Sequence, residues 1–471
     1  MHINTTKIII HEPIIKKIGE IANKHKYDVY VVGGYVRDVI LNLPNKQDID
    51  FSVIGNGVEF ANIVAQELNT KAIIYENFGT ALVPIGDFKI EFVGTRKETY
   101  YEGSRNPIIT NGSLEEDLMR RDFTINSLAF KVQLESEVTI IDLFGGIEDL
   151  KNEILKTPLN PITTYNDDPL RMLRAARFLS RLNFKLEPNS FSAICELSNR
   201  INIITQERVS DELLKLLSTD KPSLGFKLLL DTGLLDIIFP ELANLDGVDL
   251  MQVDGIGYAH KNVFYHTLQV IDNICKCSDN LWLRFAGMMH DIAKPKTKKF
   301  VEGRGWTFHG HEEVGARWQE RIFRNMKFPF KRKEYVEKLI RLHHRPMALV
   351  NNLVTDSAIR RLCVDAGEDL DDLFLLCRAD ITSKDPKKIK QYLKNYDVVI
   401  EKIKDVREKD KLREFQSPLK GEEIMEICGL KPSKKVGMIK RAIEDAILDG
   451  IIPNDIEAAR NYLFKLKENL I

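Results

Sequence analysis

The sequence predicts an α+β protein, a small mixed-sheet head followed by a long all-α body. Three observations predict it. In the first ~150 residues, β-branched runs such as Tyr27–Val32 and Asp48–Ile54 alternate with helical stretches. From about residue 156 the apolar spacing is helical almost to the C-terminus. Asn160-Pro161 and Asp168-Pro169 punctuate the change. In order, residues 12–26 read as a helix and Tyr27–Val32 as a strand that ends in Gly33-Gly34. Val36–Leu43 reads as a helix, Asp48–Ile54 as an alternating strand and 57–69 as a helix. Short strands follow near Lys71–Tyr75, Ala81–Ile85 and Lys89–Val93. The helical body is broken at Phe239-Pro240, Gly303–Gly305, Phe328-Pro329 and Ser417-Pro418, with no internal repeat or low-complexity tract. The chain is read as four segments, 1–155, 156–255, 256–405 and 406–471.

With 471 residues, 44% hydrophobic and 29% charged, the chain is long enough for several globular cores. The net charge of −1 argues against indiscriminate nucleic-acid binding but leaves room for a local basic groove. Lysine clusters in the C-terminal third, at Lys387-Lys388, Lys402, Lys404, Lys434-Lys435 and Lys440-Arg441, supply either such a groove or solvated helix faces. No apolar run approaches a membrane span, and Met1-His2-Ile3-Asn4 lacks the pattern of a signal peptide, so a cytoplasmic location and no membrane partner are expected. The six cysteines are scattered and form neither a zinc knuckle nor a disulfide framework.

The chemistry concentrates in Val31-Val32-Gly33-Gly34-Tyr35-Val36-Arg37-Asp38 and Asp48-Ile49-Asp50. Alternate strand residues share a face, so Asp48 and Asp50 project together and suit two magnesium ions. Gly33-Gly34 lets the backbone approach a triphosphate, and Arg37 offers a phosphate donor or a surface ion pair with Asp38. Glu91 is either a third carboxylate or a solvent-facing strand residue. In Asp117–Ala129, Arg121 suits phosphate and Asp122 a ribose hydroxyl, or the two form an ion-pair network at a helix end. In Asp167–Phe178, Arg171, Arg174 and Arg177 form a slowly rotating basic stripe. Asp168 there is either an N-cap or a partner of Arg171 in presenting a base-like edge to a nucleotide.

Taken in order, GGYVRD, DID, RRDFTIN and DDPLRMLRAARF resemble the class II nucleotidyltransferases over roughly residues 15–250. That group holds CCA-adding tRNA nucleotidyltransferases and bacterial poly(A) polymerases. The resemblance implies magnesium on Asp48 and Asp50, and a triphosphate at Gly33, Gly34 and Arg37. It implies phosphate and ribose contacts from Arg121 and Asp122, and phosphate support from Arg174 and Arg177. Asp168 and Arg171 would read the incoming CTP or ATP. Asp167 departs from the family, which usually carries glutamate there. Thr95–Pro107 matches the loop that in the family helps switch from C to A addition, or is an ordinary surface loop.

Seven of ten histidines fall within 260–400: His260, His266, His290, His309, His311, His343 and His344. His290-Asp291 ends an apolar run, where unpaired burial is costly. This region resembles the HD metal-dependent phosphohydrolase superfamily, which implies the ligands His266, His290, Asp291 and Asp380, with Lys294 on the phosphate side. His309, His311, His343 and His344 are candidates for a second metal or for substrate contacts. The tail segments Pro418–Met425 and Gly429–Gly437 suit an RNA backbone or a packing hairpin. The four segments then become nucleotidyltransferase head, base-selecting neck, HD domain and tRNA-contacting tail. The implied function is template-independent addition of the 3′-terminal CCA to tRNA from CTP and ATP, releasing pyrophosphate. A poly(A) polymerase, or an HD phosphohydrolase whose head only binds nucleotide, is the alternative.

Overall fold

The computed structural model describes residues 6–44, 47–76, 79–99, 108–247, 250–253, 256–259, 261–350, 355–383, 385–410 and 417–470. The chain forms two compact units, Met1–Ala243 and Asn244–Ile471.

The first unit is built on an eight-stranded mixed sheet in the order β1-β10-β9-β2-β3-β6-β5-β4. Its strands are β1 (Lys7–Ile9), β2 (Val29–Val32), β3 (Asp48–Val53), β4 (Ile73–Tyr75), β5 (Thr80–Ile85), β6 (Phe88–Gly94), β9 (Leu128–Lys131) and β10 (Glu137–Asp142). β7 (Arg96–Thr99) and β8 (Ile108–Asn111) form a separate antiparallel hairpin. Of the expected loop Thr95–Pro107, only Thr95 and β7 are described; residues 100–107 lie outside the described residues. β3 and β6 run parallel, and the other pairs in the large sheet are antiparallel.

The two faces of β3 follow from its period-two sequence. Ile49, Phe51 and Val53 are fully buried, whereas Asp48 and Asp50 are exposed on the opposite face. The buried side packs against helix α3 (Gly57–Glu67), capped by Asn56. Phe60 of α3 meets Phe92 edge-on at 5.4 Å, and Phe92 stacks on Phe51 at 5.1 Å. α1 (Pro13–His25), opened by its proline and ended by Lys26 at φ 61°, covers the same side beside α3. α2 (Gly34–Ile40) leaves β2 directly. α4 (Leu114–Met119) begins with a reciprocal Ser113–Glu116 capping box. Beyond the sheet come α5 (Gly146–Lys151), α6 (Pro161–Asp167), α7 (Leu170–Leu182), α8 (Pro188–Leu197) and α9 (Gln206–Leu217), with α7 packed on α9.

The second unit is mostly helical. Trp282, Phe285, Phe323 and Phe328 form its aromatic core. A separate apolar cluster around Leu419, Ile424, Ile443 and Leu463 holds the tail helices Gly421–Cys428, Lys434–Leu448 and Ile456–Leu470 together. Two short hairpins, Leu250–Val253 with Ile256–Ala259 and Lys299–Val301 with Gly305–Thr307, interrupt the expected all-α pattern. Gly303 at φ 74° and Gly305 at φ 79° make the second a tight turn rather than a helix break.

Candidate active site and a histidine–aspartate cluster

In the first unit the expected carboxylates come together. Asp50 lies opposite Glu91 in the parallel β3–β6 register and opposite Val32 of β2. Although Asp50 reaches solvent, desolvation pushes its pKa up; Arg121 opposes that rise and Asp48 reinforces it. Glu91 is raised too, first by burial and then by Asp50. Asp48, Asp50 and Glu91 thus offer a set of hard oxygen donors suited to magnesium. Gly33 sits beside them at φ 78°, ψ −135°, a conformation open to glycine. A Cβ there would lie 2.9 Å from Arg121 Nη1 and 3.7 Å from Asp50 Oδ2. Glycine is therefore required for the turn and for the approach of Arg121.

Arg121 is held by Asp117, a fully buried acid that accepts from Arg121 Nη2 at 3.2 Å and from Ser52 Oγ at 2.8 Å. Burial would raise Asp117, but Arg121 and Arg120 outweigh it and hold the carboxyl below its usual value. Ser52 lies two residues beyond Asp50, so the metal face of β3 also fixes the neighbouring cation.

Two expectations are corrected here. Arg37 is not open to a triphosphate: its guanidinium is buried, donates to Asp38 Oδ1 at 2.7–2.8 Å and to Asn126 Oδ1 at 2.5 Å. Nor does the pair lie on the surface, because Asp38 is also buried and accepts from Arg181 Nη2 at 2.7 Å. Asp122 has no oxygen left for a ribose. Oδ1 accepts from Asn126 Nδ2 at 3.0 Å and its own neighbour's Phe123 N–H at 2.9 Å, while Oδ2 takes Arg174 at 2.7–2.8 Å. Burial acts to raise Asp122, yet Arg174 and Asn126 bring it down to about 2.

Arg37, Arg174 and Arg177 pack around the Phe178 ring at 4.8–5.4 Å. Buried Glu212 of α9 lies 3.1 Å from Arg177 and 3.8 Å from Arg174. Arg171 donates to the Thr164 and Arg120 carbonyls at 3.2 and 2.5 Å. Asp168 caps the Leu170 N–H at 3.2 Å and turns its other oxygen toward Arg208 at 3.6 Å. Asp168, Arg171, Arg174, Arg121 and Arg208 line one cavity of about 360 Å³. Sequence reading missed Asp117, Asn126, Arg181, Arg208 and Glu212. Glu212 had a signal, since it stands on the apolar stripe Val209–Leu213–Leu216 of α9.

In the second unit, His266 Nε2 lies 2.9 Å from Asp380 Oδ1 and His290 Nε2 lies 3.1 Å from Asp291 Oδ2. Lys294 donates to the same Asp291 oxygen at 2.6 Å. His266 is oriented through Nδ1 by Thr382 Oγ1 at 2.7 Å, which Lys261 also contacts. Burial lowers His290, but Asp291 and Asp380 outweigh it and push the imidazole up to about 10. Burial, then His290, hold His343 well below its usual value. All four expected ligands therefore converge. His309 is exposed and joins neither cluster, while His260 lies outside the described residues.

The chain matches the family described as poly A polymerase head domain over 29–156. It also matches the probable RNA and SrmB-binding site of polymerase A over 183–245 and the HD domain over 263–384. It is 32% identical over 355 residues to an A-adding tRNA nucleotidyltransferase of Deinococcus radiodurans, spanning 74% of this chain and 78% of that one. The chain belongs to the tRNA nucleotidyltransferase family. A family member from Psychromonas ingrahamii, a multifunctional CCA protein, is 30% identical over 338 residues, or 70% of this chain and 78% of that one. An A-adding relative from Aquifex aeolicus is 46% identical over 157 residues, 33% of this chain but 19% of that protein. A solved tRNA nucleotidyltransferase complexed with a primer tRNA and an incoming ATP analog is 26% identical, with a TM-score of 0.58 over 81% of this chain and 99% of the other. The Bacillus stearothermophilus CCA-adding enzyme, at 24% identity and a TM-score of 0.65 over 98% and 99%, shares the fold of this family member.

Proposed function

We propose that this chain restores the 3′-terminal CCA of tRNA from CTP and ATP without a nucleic-acid template. The observation that carries the reading is Asp48 and Asp50 on one face of β3, with Gly33 and Arg121 against Asp50 and the arginine-lined cavity beside Arg121. Asp48 and Asp50, joined by Glu91, would hold magnesium, which when bound activates the attacking 3′-hydroxyl and neutralises the leaving pyrophosphate. Gly33-Gly34 gives the triphosphate access, and Arg121, fixed by Asp117, supplies positive charge beside Asp50. Arg174, positioned by Asp122, adds charge to the cavity wall, and Arg177, held by Glu212, would support phosphate binding from behind it. Arg37, enclosed with Asp38, Asn126 and Arg181, shapes the turn from within. Asp168 and Arg171 would read the base from the cavity wall. Head 1–155, neck 156–255, HD domain 256–405 and tail 406–471 would divide catalysis, base selection, hydrolysis and tRNA contact. In the HD domain, His266, His290, Asp291 and Asp380 would hold a divalent metal for phosphoester hydrolysis.

Addition of the terminal A alone is the second reading, favoured by the similarity to A-adding relatives. Both are tested with magnesium and tRNA transcripts ending before C, CC and CCA, given CTP and ATP separately and together. Growth of every shorter end to CCA and no further is expected. Extension only of the transcript already ending in CC, and only with ATP, would establish A addition. A long A ladder would make the protein a poly(A) polymerase.

A further inference from the structure

We propose that the hairpin of Lys299–Val301 and Gly305–Thr307, beside the histidine–aspartate cluster, is a binding site for single-stranded RNA, which it leads toward Lys294 and Asp291. This deepens the hydrolytic reading of the HD domain by naming an RNA strand, rather than a free nucleotide, as what reaches the cluster. It rests on that reading only for what happens to the strand once bound.

The two hairpin strands pair in antiparallel register, so Phe300 and Trp306 stand directly opposite each other. Their rings meet edge-on at 5.5 Å, and Lys298 Nζ lies 5.2 Å from the Trp306 ring centre. Two residues further on, the Phe308 ring centre lies 5.7 Å from Lys294 Nζ. Three partly exposed aromatic side chains thus follow the segment, two of them with a cation alongside. The run ends at the cluster. Lys294 donates to Asp291 Oδ2 at 2.6 Å, and the Phe308 carbonyl accepts from His311 Nδ1 at 2.7 Å.

The charge of the segment selects its ligand. Residues 294–304 carry Lys294, Lys296, Lys298, Lys299 and Arg304 against the single acid Glu302, in a chain whose net charge is only −1. Lys296, Lys299 and Arg304 are exposed and enter no ion pair among the described residues. The backbone holds them in place. Arg304 N–H donates to the Val301 carbonyl at 3.0 Å across the turn, and Thr307 Oγ1 donates to the Lys299 carbonyl at 3.1 Å. Exposed cations without counter-charges, next to aromatic rings, suit a polyanion that carries flat bases. Its phosphates meet the lysines and the arginine, and its unstacked bases lie on the rings. A duplex keeps its base faces stacked on one another, and an acidic peptide has none.

The test is the affinity of the full chain for a short fluorescent oligouridine, read by anisotropy with a chelator present so that no metal site is loaded. Lys296→Glu with Lys299→Glu and Arg304→Glu, three exposed changes, should weaken binding about tenfold or more. The slope of log Kd against log salt should fall by about 2, at ~0.7 for each lost phosphate contact. Trp306→Ala should weaken binding about tenfold, and Trp306→Phe, which keeps a stacking ring, should restore it. A strand carrying 4-thiouridine should crosslink on irradiation to the peptide 298–308. Unchanged affinity and salt slope in the triple variant, or crosslinks confined to other segments, would overturn the site. A chain that binds the strand through the hairpin but hydrolyses no RNA phosphoester when loaded with metal would remove the hydrolytic reading and uphold this one.

Discussion

At residue scale, Gly33 and Asp122 show how single positions fix the head. Alanine at 33 would have to adopt φ 78° and place its Cβ 2.9 Å from Arg121 Nη1. The strain is about 1–3 kcal/mol, and relief comes by pushing the Arg121 guanidinium away from the turn. Gly33→Ala should lower kcat/KM for CTP about 100-fold with the far-UV circular dichroism unchanged. Full activity would place nucleotide binding elsewhere. Asp122 falls from 3.8 to about 2 on folding, against its own burial, because Arg174 and Asn126 favour its charged form. A depressed carboxyl stabilises the fold above its unfolded pKa and loses that contribution as pH drops through the folded value. Asp122→Asn should therefore cost about 2 kcal/mol at neutral pH, and the difference from the parent should shrink between about pH 4 and pH 2. Denaturant titrations of the pair across that range measure it.

At the scale of elements, the α7–α9 pairing sets the charge of the cavity. Glu212, 4% exposed on α9, is the counter-charge for Arg174 and Arg177 on α7. Glu212→Gln keeps the volume and removes the charge, so Arg177 loses its anchor and Arg174 is left with Asp122 alone. KM for CTP and ATP should rise about tenfold, equivalent to ~1.4 kcal/mol, with a smaller change in kcat. Unchanged KM values would take these arginines out of nucleotide binding. Likewise α3 depends on Phe60, which is fully buried against Phe92 and Tyr27. Phe60→Ala should cost about 3–5 kcal/mol and lower the first thermal unfolding transition in scanning calorimetry.

For the whole molecule, two chemistries sit in two separate units, and they should separate by mutation. Asp48→Ala with Asp50→Ala, both at exposed positions, should abolish nucleotidyl transfer without unfolding the chain. His290→Ala with Asp291→Ala should leave tRNA extension intact and remove any hydrolysis of a 2′,3′-cyclic nucleotide. Loss of both activities in the second variant would give its metal cluster a structural role. Among the described residues no helix is long and apolar enough to cross a membrane, which agrees with the hydropathy of the sequence.

Local pattern alone determined the head-and-body architecture, because period two and period 3.6 are written in neighbouring residues. The sharing of one strand face by Asp48 and Asp50 was legible for the same reason, as was the Gly33-Gly34 turn. Strands β9 and β10 escaped, since Leu128–Lys131 is a short apolar run whose strand identity comes from its neighbours β2 and β10. Only the tertiary structure decided which charges are spent and which are free. Arg37 and Asp122 have the residue types of nucleotide ligands, yet Asn126 and Arg174, brought in from up to 89 positions away, consume them. The same holds for Asp291. Its two oxygens acquire different partners because helices far apart in sequence converge on it, and a buried charge is defined by what surrounds it in space.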